Sequence, residues 1–296
     1  MSSPVAASAP SSRYGLARKA RPARELVDIL IDERSVGLSS HAWWPLARPL
    51  LMALLHYRSA IRMAEAIAPL PGADAMSCLS RMLDLKLTVE GLDYVPASGG
   101  FILTPSHPTG IADGVAVFDA LKTVRPDMAI FANRDAIRAA PGLGDLLIPV
   151  EWRSGEKSYA KSRATLEATA RAFDAGRAVV LFPSGRIAFR QNGVLTERPW
   201  QVSAVTLARR YGVPIVPMDI RARNSSLFYL LSRVSTDLRD ITVFHEFLNK
   251  KRAPFAIRVG RPIPPEALEG DPAVVTVRLQ RHTVESLRAD PDAVFG

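Results

Sequence analysis

The segment 100-GFILTPSHPTGIADG-114 begins with an apolar run, passes through a Pro-Thr-Gly step and ends in a helical pattern. The apolar run predicts a buried strand, and Pro108 and Gly110 prevent a regular helix from starting directly after it. We expect the helix to begin after Gly110, which leaves His107 at the carboxyl end of the strand and Asp113 in the first helical turn. Ligands bind at that end of the strands in open α/β sheets, so the segment predicts a fold class and a candidate site together.

Strands alternate with helices from residue 85 onward. The predicted strands are 85–91, 100–106, 128–133, 146–152, 177–183, 213–220 and 255–260, and the predicted helices are 112–121, 157–175, 200–211 and 274–288. Several of these strands are apolar almost throughout, as in a sheet that is covered on both faces. We therefore predict an α/β fold with a mixed, largely parallel central sheet flanked by helices.

The N-terminal part of the chain has a different composition. Residues 1–24 are small, polar and basic, and predict a disordered tail without a secretory signal. Residues 25–80 predict an N-terminal helical segment, and residues 81–296 predict a single domain. Trp43 and Trp44 stand in a stretch rich in apolar and basic residues, which is typical of a helix that associates with a membrane interface. A pair of core helices is the alternative interpretation.

The charge balance of the chain is basic, with 38 Lys and Arg residues against 29 Asp and Glu residues and a formal net charge of +9. Such an excess favours an anionic partner: a nucleic acid, an anionic membrane surface or a phosphorylated substrate. The sequence contains no nucleic-acid recognition motif, so we expect no nucleic-acid partner. No uncharged apolar stretch approaches the roughly 20 residues of a spanning helix, so we expect a soluble or membrane-peripheral protein.

Cysteine and histidine usage argue against several kinds of site. Cys78 is the single cysteine, which excludes an internal disulfide and favours a reducing, cytosolic environment. The histidines other than His107 show no metal-ligand spacing, and the sequence has no glycine-rich dinucleotide loop or P-loop. We therefore expect neither a metal ion nor a bound cofactor.

His107 and Asp113 are the residue types that acid–base chemistry requires. A neutral imidazole can remove a proton from a hydroxyl group, and a carboxylate at its other nitrogen fixes the tautomer and stabilises the imidazolium. A loop through Pro-Thr-Gly would let the two side chains meet. The sequence has no G-x-S-x-G motif, which argues against an acyl-enzyme intermediate. The alternative interpretation is structural: Asp113 caps the helix and His107 only packs.

Four blocks of the sequence, in order, resemble a known enzyme family. They are 106-SHPTGIADG-114, 131-FANRDAIRAAPGLGDLLIPVEWR-153, 182-FPSGRIAFR-190 and 213-VPIVPMDIR-221. The first is similar to the motif N-H-x4-D but has the longer form H-x5-D, and the third is similar to F-P-E-G-T-R with Ser184 in place of the glutamate. Together the blocks resemble the glycerolipid and lysophospholipid acyltransferase superfamily, which includes 1-acylglycerol-3-phosphate acyltransferase.

The resemblance implies a reaction and its substrates. It implies that residues 81–296 form an acyltransferase domain, in which His107 deprotonates the acceptor hydroxyl and Asp113 orients the imidazole. The hydroxyl would attack an acyl thioester carried by acyl-CoA or acyl-carrier protein. The implied acceptor is a lysophospholipid or related lysolipid, such as lysophosphatidic acid or a lyso-ornithine lipid, in phospholipid biosynthesis. The implied location is the cytoplasmic face of a membrane, with peripheral attachment.

Basic and small residues in the matching blocks are candidates for substrate binding. The candidates are Arg134, Arg153, Ser184, Gly185 and Arg186. Arginine suits a phosphate group because its planar fork can donate two charge-assisted hydrogen bonds. The backbone amides of Gly185 and Arg186, or those around Gly110, could donate to the oxyanion of the reaction. Each arginine could instead be a solvated surface charge.

The sequence is also consistent with two other functions. The longer H-x5-D spacing and Ser184 are consistent with a non-catalytic lipid-binding protein of the same fold. A hydrolase of acyl thioesters, with water as the acceptor, is the second alternative.

Overall fold

A computed structural model of the chain describes residues 22–151 and 158–296. The predicted tail, residues 1–24, therefore lies almost entirely outside the described residues. The first helix begins at Ala23, close to the predicted start of the helical segment at residue 25.

The central sheet has seven strands in the order β1-β9-β8-β2-β5-β3-β4, and β6 and β7 form a separate hairpin. In chain order the strands are β1 (Lys86–Glu90), β2 (Phe101–Pro105), β3 (Ala129–Asn133), β4 (Leu147–Val150), β5 (Ala178–Val180), β6 (Phe189–Gln191), β7 (Val194–Thr196), β8 (Ile215–Arg221) and β9 (Pro254–Val259). Every predicted strand is present in the central sheet, whereas the hairpin was not predicted. All neighbouring pairs in the central sheet are parallel except β8 and β9, so the predicted mixed, largely parallel sheet is confirmed.

Helices flank this sheet, as predicted. In chain order they are α1 (Ala23–Asp32), α2 (Val36–Ser39), α3 (Trp44–Leu54), α4 (Tyr57–Ile67), α5 (Gly72–Leu83), α6 (Ile111–Leu121), α7 (Arg134–Ala139), α8 (Tyr159–Asp174), α9 (Ser203–Tyr211), α10 (Ser226–Val234), α11 (Thr236–Ile241), α12 (Val243–Leu248), α13 (Pro272–Arg281) and α14 (Leu287–Ala289). The four predicted helices correspond to α6, α8, α9 and α13 with α14, and a π-helical turn at His282–Ser286 separates the last two. In the described ranges, no helix has both the length and the apolar character needed to cross a membrane.

β2 lies in the middle of the sheet and is buried along its whole length. Phe101 and Leu103 pack into a hydrophobic cluster with α5 and α6, whereas Ile102 packs into a second cluster with α8, α9 and α13. This alternation follows from the two-residue repeat of a strand, and burial on both faces favours apolar side chains at most positions. Because β5 and β8 run parallel to β2 on either side of it, the carboxyl ends of all three strands lie at one edge.

The N-terminal helices have one buried face and one exposed face. Trp44 of α3 belongs to a third hydrophobic cluster, which also includes Ile241 of α11. In contrast, Leu46, Leu50 and Leu54 of the same helix are 85%, 66% and 63% exposed. Packing within the protein therefore accounts for only one side of α3.

Asp135 connects α7 to the N-terminal helices through buried ion pairs. Its carboxylate oxygens lie 2.8 Å from Nη2 of Arg34 and 2.8 Å from Nη1 of Arg138, and Arg138 also pairs with Glu33 at 2.7 Å. Burial alone would raise the pKa of Asp135, but the two arginines outweigh burial and hold this pKa below its ordinary value. Because the pKa is lower in the folded state, the ionised carboxylate stabilises the protein at pH values above its unfolded-state pKa of about 3.9. This stabilisation is lost as the pH falls toward the folded-state pKa.

We expect Asp135→Asn to lower the free energy of unfolding near neutral pH by about 3 kcal/mol, because it leaves the charge of the buried Arg34 without this carboxylate. Urea unfolding at neutral pH and at about pH 3 measures the effect, and wild-type stability should fall more steeply on acidification than that of the variant. Asp74→Asn, at an exposed position of α5, is the control. Parallel pH profiles for the wild type and Asp135→Asn would contradict the prediction.

Candidate active site

The loop between β2 and α6 brings His107 and Asp113 together. Nδ1 of His107 lies 2.9 Å from Oδ2 of Asp113, and the side chain of Asp113 is completely buried while that of His107 is 17% exposed. Among the described residues, no acceptor is well aligned with Nδ1 for a hydrogen bond, so the contact is short but off-axis. Hydrogen bonds of catalytic groups are often poorly aligned without substrate and become shorter and straighter when substrate binds.

Asp113 is held in place by donors from its own loop. Oδ2 accepts hydrogen bonds from the backbone N–H groups of Thr109 (2.8 Å) and Gly110 (2.9 Å), and Oδ1 accepts one from the Thr109 hydroxyl (2.5 Å). These three donors offset the cost of burying a carboxylate. They also fix its position against the imidazole of His107.

Gly110 provides the sharp turn that the H-x5-D spacing requires. Its φ is 98°, in the region that favours glycine. A Cβ atom at this position would lie 2.7 Å from Cδ1 of Ile187, which is too close for a carbon–carbon contact. The turn directs the start of α6 back toward His107, so the two side chains meet although they are six residues apart.

The surroundings of His107 leave one ring nitrogen for a substrate. The imidazole packs on the ring of Phe182 with 4.4 Å between centroids, and Phe182 follows β5, the strand next to β2. The backbone of His107 is held from two sides: its N–H donates to Oε1 of Glu197 (2.8 Å), and its carbonyl accepts from the N–H of Ala188 (2.9 Å). Because Nδ1 lies against Asp113, Nε2 is the atom that can accept a proton.

A cleft of about 1350 Å³ opens beside this loop. Its lining includes Ser106 and Pro108, the sequence neighbours of His107, together with Glu197. Residues that follow β8, residues of the β6–β7 hairpin and residues of α13 complete the walls. The volume exceeds the roughly 300–1,000 Å³ of common small-molecule pockets, so the cleft can accommodate a ligand with a long chain.

Comparison with known proteins relates the chain to acyltransferases. Residues 86–221, from β1 to the end of β8, match the family model described as Acyltransferase. The chain is 27% identical over 199 residues to the lyso-glycine lipid O-acyltransferase of Phocaeicola vulgatus, covering 65% of this chain and 70% of the relative. The corresponding enzyme of Bacteroides thetaiotaomicron is 25% identical over 199 residues, covering 65% of this chain and 71% of the relative. These matches support the predicted resemblance to the glycerolipid acyltransferase superfamily.

A solved structure also aligns with this chain. It is the crystal structure of the 1-acyl-sn-glycerophosphate (LPA) acyltransferase PlsC from Thermotoga maritima, with a TM-score of 0.46 and 14% identity. The alignment covers 90% of this chain and 98% of that chain.

None of the predicted ligands within the described residues lines the cleft, neither Arg134 nor the group Ser184, Gly185 and Arg186. Arg134 follows β3 at the same edge of the sheet, but it is not one of the cleft-lining residues, and its Nη2 donates a long, 3.5 Å hydrogen bond to the carbonyl of Lys161. Arg153 lies outside the described residues. A role for the predicted ligands in substrate binding therefore stays a prediction.

The loop after β5 is a tight turn that contains the other predicted ligands. The N–H of Gly185 donates to the carbonyl of Phe182 (3.0 Å), and the hydroxyl of Ser184 donates to the carbonyl of Arg186 (2.9 Å). The amides of Gly185 and Gly110 are thus already used within their own loops. The amide of Arg186 has no acceptor in the described part of the chain, which makes it the better candidate for an oxyanion donor.

Glu197 is a component of the site that sequence analysis did not identify. In addition to its bond from the His107 backbone, its Oε2 accepts from the indole N–H of Trp200 at 3.2 Å. Burial raises the pKa of Glu197, and the His107 backbone amide and the Trp200 indole only partly oppose this rise. Glu197 follows β7 and is 90 residues from His107, so no local spacing relates the two.

Proposed function

We propose that this acyltransferase moves a fatty acyl group from acyl-CoA or acyl-carrier protein to the hydroxyl of a lysolipid. The observation that carries the proposal is the 2.9 Å contact between Nδ1 of His107 and Asp113, beside a cleft large enough for lipid chains. Two relatives are named lyso-glycine lipid O-acyltransferase, which supports a lysolipid acceptor and transfer to oxygen. A lyso-glycine lipid is therefore the first candidate acceptor, followed by lysophosphatidic acid and a lyso-ornithine lipid.

In the proposed mechanism, His107 acts as a general base. Its Nε2 accepts the hydroxyl proton while the hydroxyl oxygen attacks the carbonyl carbon of the thioester. Asp113 keeps the other proton on Nδ1 and stabilises the imidazolium that forms. When the tetrahedral intermediate collapses, the carbon–sulfur bond breaks and the imidazolium returns its proton to the departing thiolate. The acceptor supplies the nucleophile, so no acyl-enzyme intermediate forms.

The tetrahedral intermediate carries an oxyanion that needs a hydrogen-bond donor. The turn containing Arg186 begins at Phe182, whose ring packs on the imidazole of His107. A carbonyl bound beside His107 therefore lies near the Arg186 amide, and a donor that is already in place stabilises developing charge efficiently.

An assay with a labelled acyl thioester and a panel of lysolipids tests the proposal. Formation of a labelled diacyl product with one acceptor would support it and identify that acceptor. Release of labelled fatty acid without a diacyl product would indicate a thioester hydrolase. Lipid binding without consumption of any thioester would indicate a non-catalytic lipid-binding protein. Parallel reactions with acyl-CoA and acyl-carrier protein identify the donor.

We further propose that the enzyme binds peripherally to the cytoplasmic face of a membrane through α3. Leu46, Leu50 and Leu54 recur every four residues and form an exposed apolar stripe along this helix. Trp43 directly precedes the helix and is 46% exposed, and tryptophan is enriched at membrane interfaces. A helix with one apolar face lies in the plane of such an interface, and the net charge of +9 adds attraction to anionic lipids.

Replacing Leu46, Leu50 and Leu54 together by serine should weaken binding to anionic vesicles at least about tenfold, because full burial of one leucine contributes about 1.5–3 kcal/mol. The three side chains are exposed, so the thermal stability should change little. Deleting residues 1–70 is a less informative test, since it also removes the core residue Trp44.

Co-sedimentation with the vesicles measures this binding. Leu166→Ser is the matched control, because Leu166 is a 62% exposed leucine on α8. Unchanged co-sedimentation of the triple variant would exclude α3 as the membrane contact.

A further inference from the structure

A second, smaller pocket lies beside the cleft, between the β6–β7 hairpin and α10. Four arginines contribute to its walls: Arg190, Arg198, Arg233 and Arg239. Its lining, which consists entirely of described residues, contains no Asp or Glu side chain. The volume is about 100 Å³, enough for roughly three water molecules at about 30 Å³ each, and thus for one small oxyanion.

Arg198 carries charge that the surrounding protein does not compensate. Its Nε is buried and has no hydrogen-bond partner among the described residues, and its guanidinium lies 4.0 Å above the ring of Phe189. Burial lowers the pKa of Arg198, and the positive charges of Arg239 and Arg186 lower it further. A buried donor without a partner is costly, and a bound anion would both satisfy it and remove the repulsion.

The other arginines of the pocket leave most of its charge uncompensated as well. Arg239 pairs with Asp240 at 2.6 Å, but in the described part of the chain Arg190, Arg198 and Arg233 form no ion pair. The guanidinium of Arg190 instead lies 4.9 Å above the ring of Tyr229. The pocket therefore has the excess positive charge that an anion requires.

The four-arginine pocket is directly connected to the catalytic loop, the segment between β2 and α6 that contains His107. Ala188 lines both the pocket and the cleft, and its N–H donates to the carbonyl of His107 at 2.9 Å. Tyr229 also lines both the pocket and the cleft, and its hydroxyl accepts a hydrogen bond from the backbone N–H of Asn224. The side-chain amide of Asn224 in turn donates to the carbonyl of Thr109, which belongs to the same loop as His107. An anion in the pocket would thus lie close to the group that reacts at His107.

We infer that the four-arginine pocket binds the acidic headgroup of the acceptor lysolipid, a carboxylate or a phosphate, and thereby places the acceptor hydroxyl at His107. This inference rests on the proposed function. An acidic lysolipid carries its anionic group only a few bonds from its free hydroxyl, whereas the phosphates of acyl-CoA lie many bonds from the thioester. The short connection between pocket and catalytic loop therefore favours the acceptor over the donor. The planar guanidinium of arginine can donate two parallel hydrogen bonds to the oxygens of either a carboxylate or a phosphate.

The position of α10 agrees with a lipid ligand. Phe228 and Ser232 of this helix line the pocket, while Leu227, Leu230 and Val234 are 41%, 58% and 72% exposed. The helix therefore covers the pocket with one side and presents apolar side chains to the surroundings with the other. A lipid headgroup could occupy the pocket while this apolar surface contacts lipid chains.

Binding of an N-acylglycine that lacks the hydroxyl tests the inference without turnover. We expect the full-length protein to bind this acid at least about tenfold more tightly than its methyl ester in isothermal titration calorimetry, because hydrogen bonds to a charged acceptor are about twice as strong as neutral ones. Arg198→Gln and Arg190→Gln should each lose about tenfold in affinity for the acid, with unchanged affinity for the ester. Arg190 is exposed, so its variant provides the test even if Arg198→Gln does not fold.

The controls separate the charge of the pocket from other effects. Arg163→Gln, at an exposed arginine of α8, should bind both probes like the wild type. Inorganic phosphate should displace the acid from the wild type and compete less well in Arg190→Gln. A phosphate-headed analogue without a free hydroxyl, titrated in parallel, identifies the oxyanion that the pocket prefers.

Equal affinity of the wild type for the acid and its ester would overturn the inference, and so would unchanged affinity for the acid in both arginine variants. If the arginine variants lost affinity only for CoA, the pocket would belong to the acyl donor, which would also overturn the inference. The binding measurements need no acyl donor. Absence of acyl transfer with every acceptor would therefore contradict the proposed function and leave the binding result standing. Acyl transfer without any preference for an acidic headgroup would contradict only the role of the pocket.

Discussion

His107→Ala should lower kcat for diacyl lipid formation by about a thousandfold or more, because general-base catalysis by a positioned side chain typically contributes about 10²–10⁴-fold. The folded structure should persist. The ring is partly exposed and packs on Phe182, whereas the backbone contacts of residue 107 to Glu197 and Ala188 do not depend on the side chain. Product formation at saturating acceptor and thermal unfolding measure the two effects separately.

His41→Ala is the matched control for this variant, since His41 is an exposed histidine after α2 and is distant in sequence from the loop. It should retain the wild-type kcat. Near-normal turnover in His107→Ala, with the fold intact, would exclude this imidazole as the base and with it the proposed mechanism.

Asp113→Asn should lower kcat by about a hundredfold or more, within the range that a positioned acid–base group contributes. The neutral amide cannot stabilise the imidazolium as a carboxylate does. The loop should survive the change. The amide oxygen can still accept from the N–H groups of Thr109 and Gly110, and the Thr109 hydroxyl can reverse its role and accept from the new amide group.

Asp119→Asn is the control on the same helix, α6, where Asp119 pairs with Lys122 near the surface. It should change kcat little. A wild-type rate in Asp113→Asn would mean that the carboxylate serves only the loop. A large fall in thermal stability together with the rate would mean that the fold of the loop, and not the charge, had been lost.

Much of the fold was predictable because a strand that is buried on both faces has a nearly continuous apolar sequence. β2 and its neighbours are apolar at most positions, since one set of alternate residues of β2 contacts α5 and α6 and the other contacts α8, α9 and α13. The hairpin β6–β7 lacks that signal. Its strands have three residues each and none of these residues is buried, so no long apolar run distinguishes the strands from a loop.

The site was predictable only where its parts are close in sequence. His107, Gly110 and Asp113 lie within a single strand–turn–helix unit, so their spacing and residue types indicate that the two side chains meet. Their catalytic roles stay predictions. The N-terminal helices show a similar limit: amphipathic spacing predicts one apolar face, but it does not tell which residues the protein covers and which, like Leu50, it leaves exposed.

The pattern of residues by itself determined the layered α/β architecture, the strand that leads to His107 and the position of Asp113 in the next helix. Each of these depends only on local periodicity and on the residues that form the turn. The tertiary structure decided which distant groups join them. Glu197 reaches the His107 backbone and Arg198 reaches the pocket beside it only after the chain returns from β5 through the hairpin. The parallel arrangement brings the ends of distant strands to one edge, and contacts across such separations leave no repeat or spacing in the sequence.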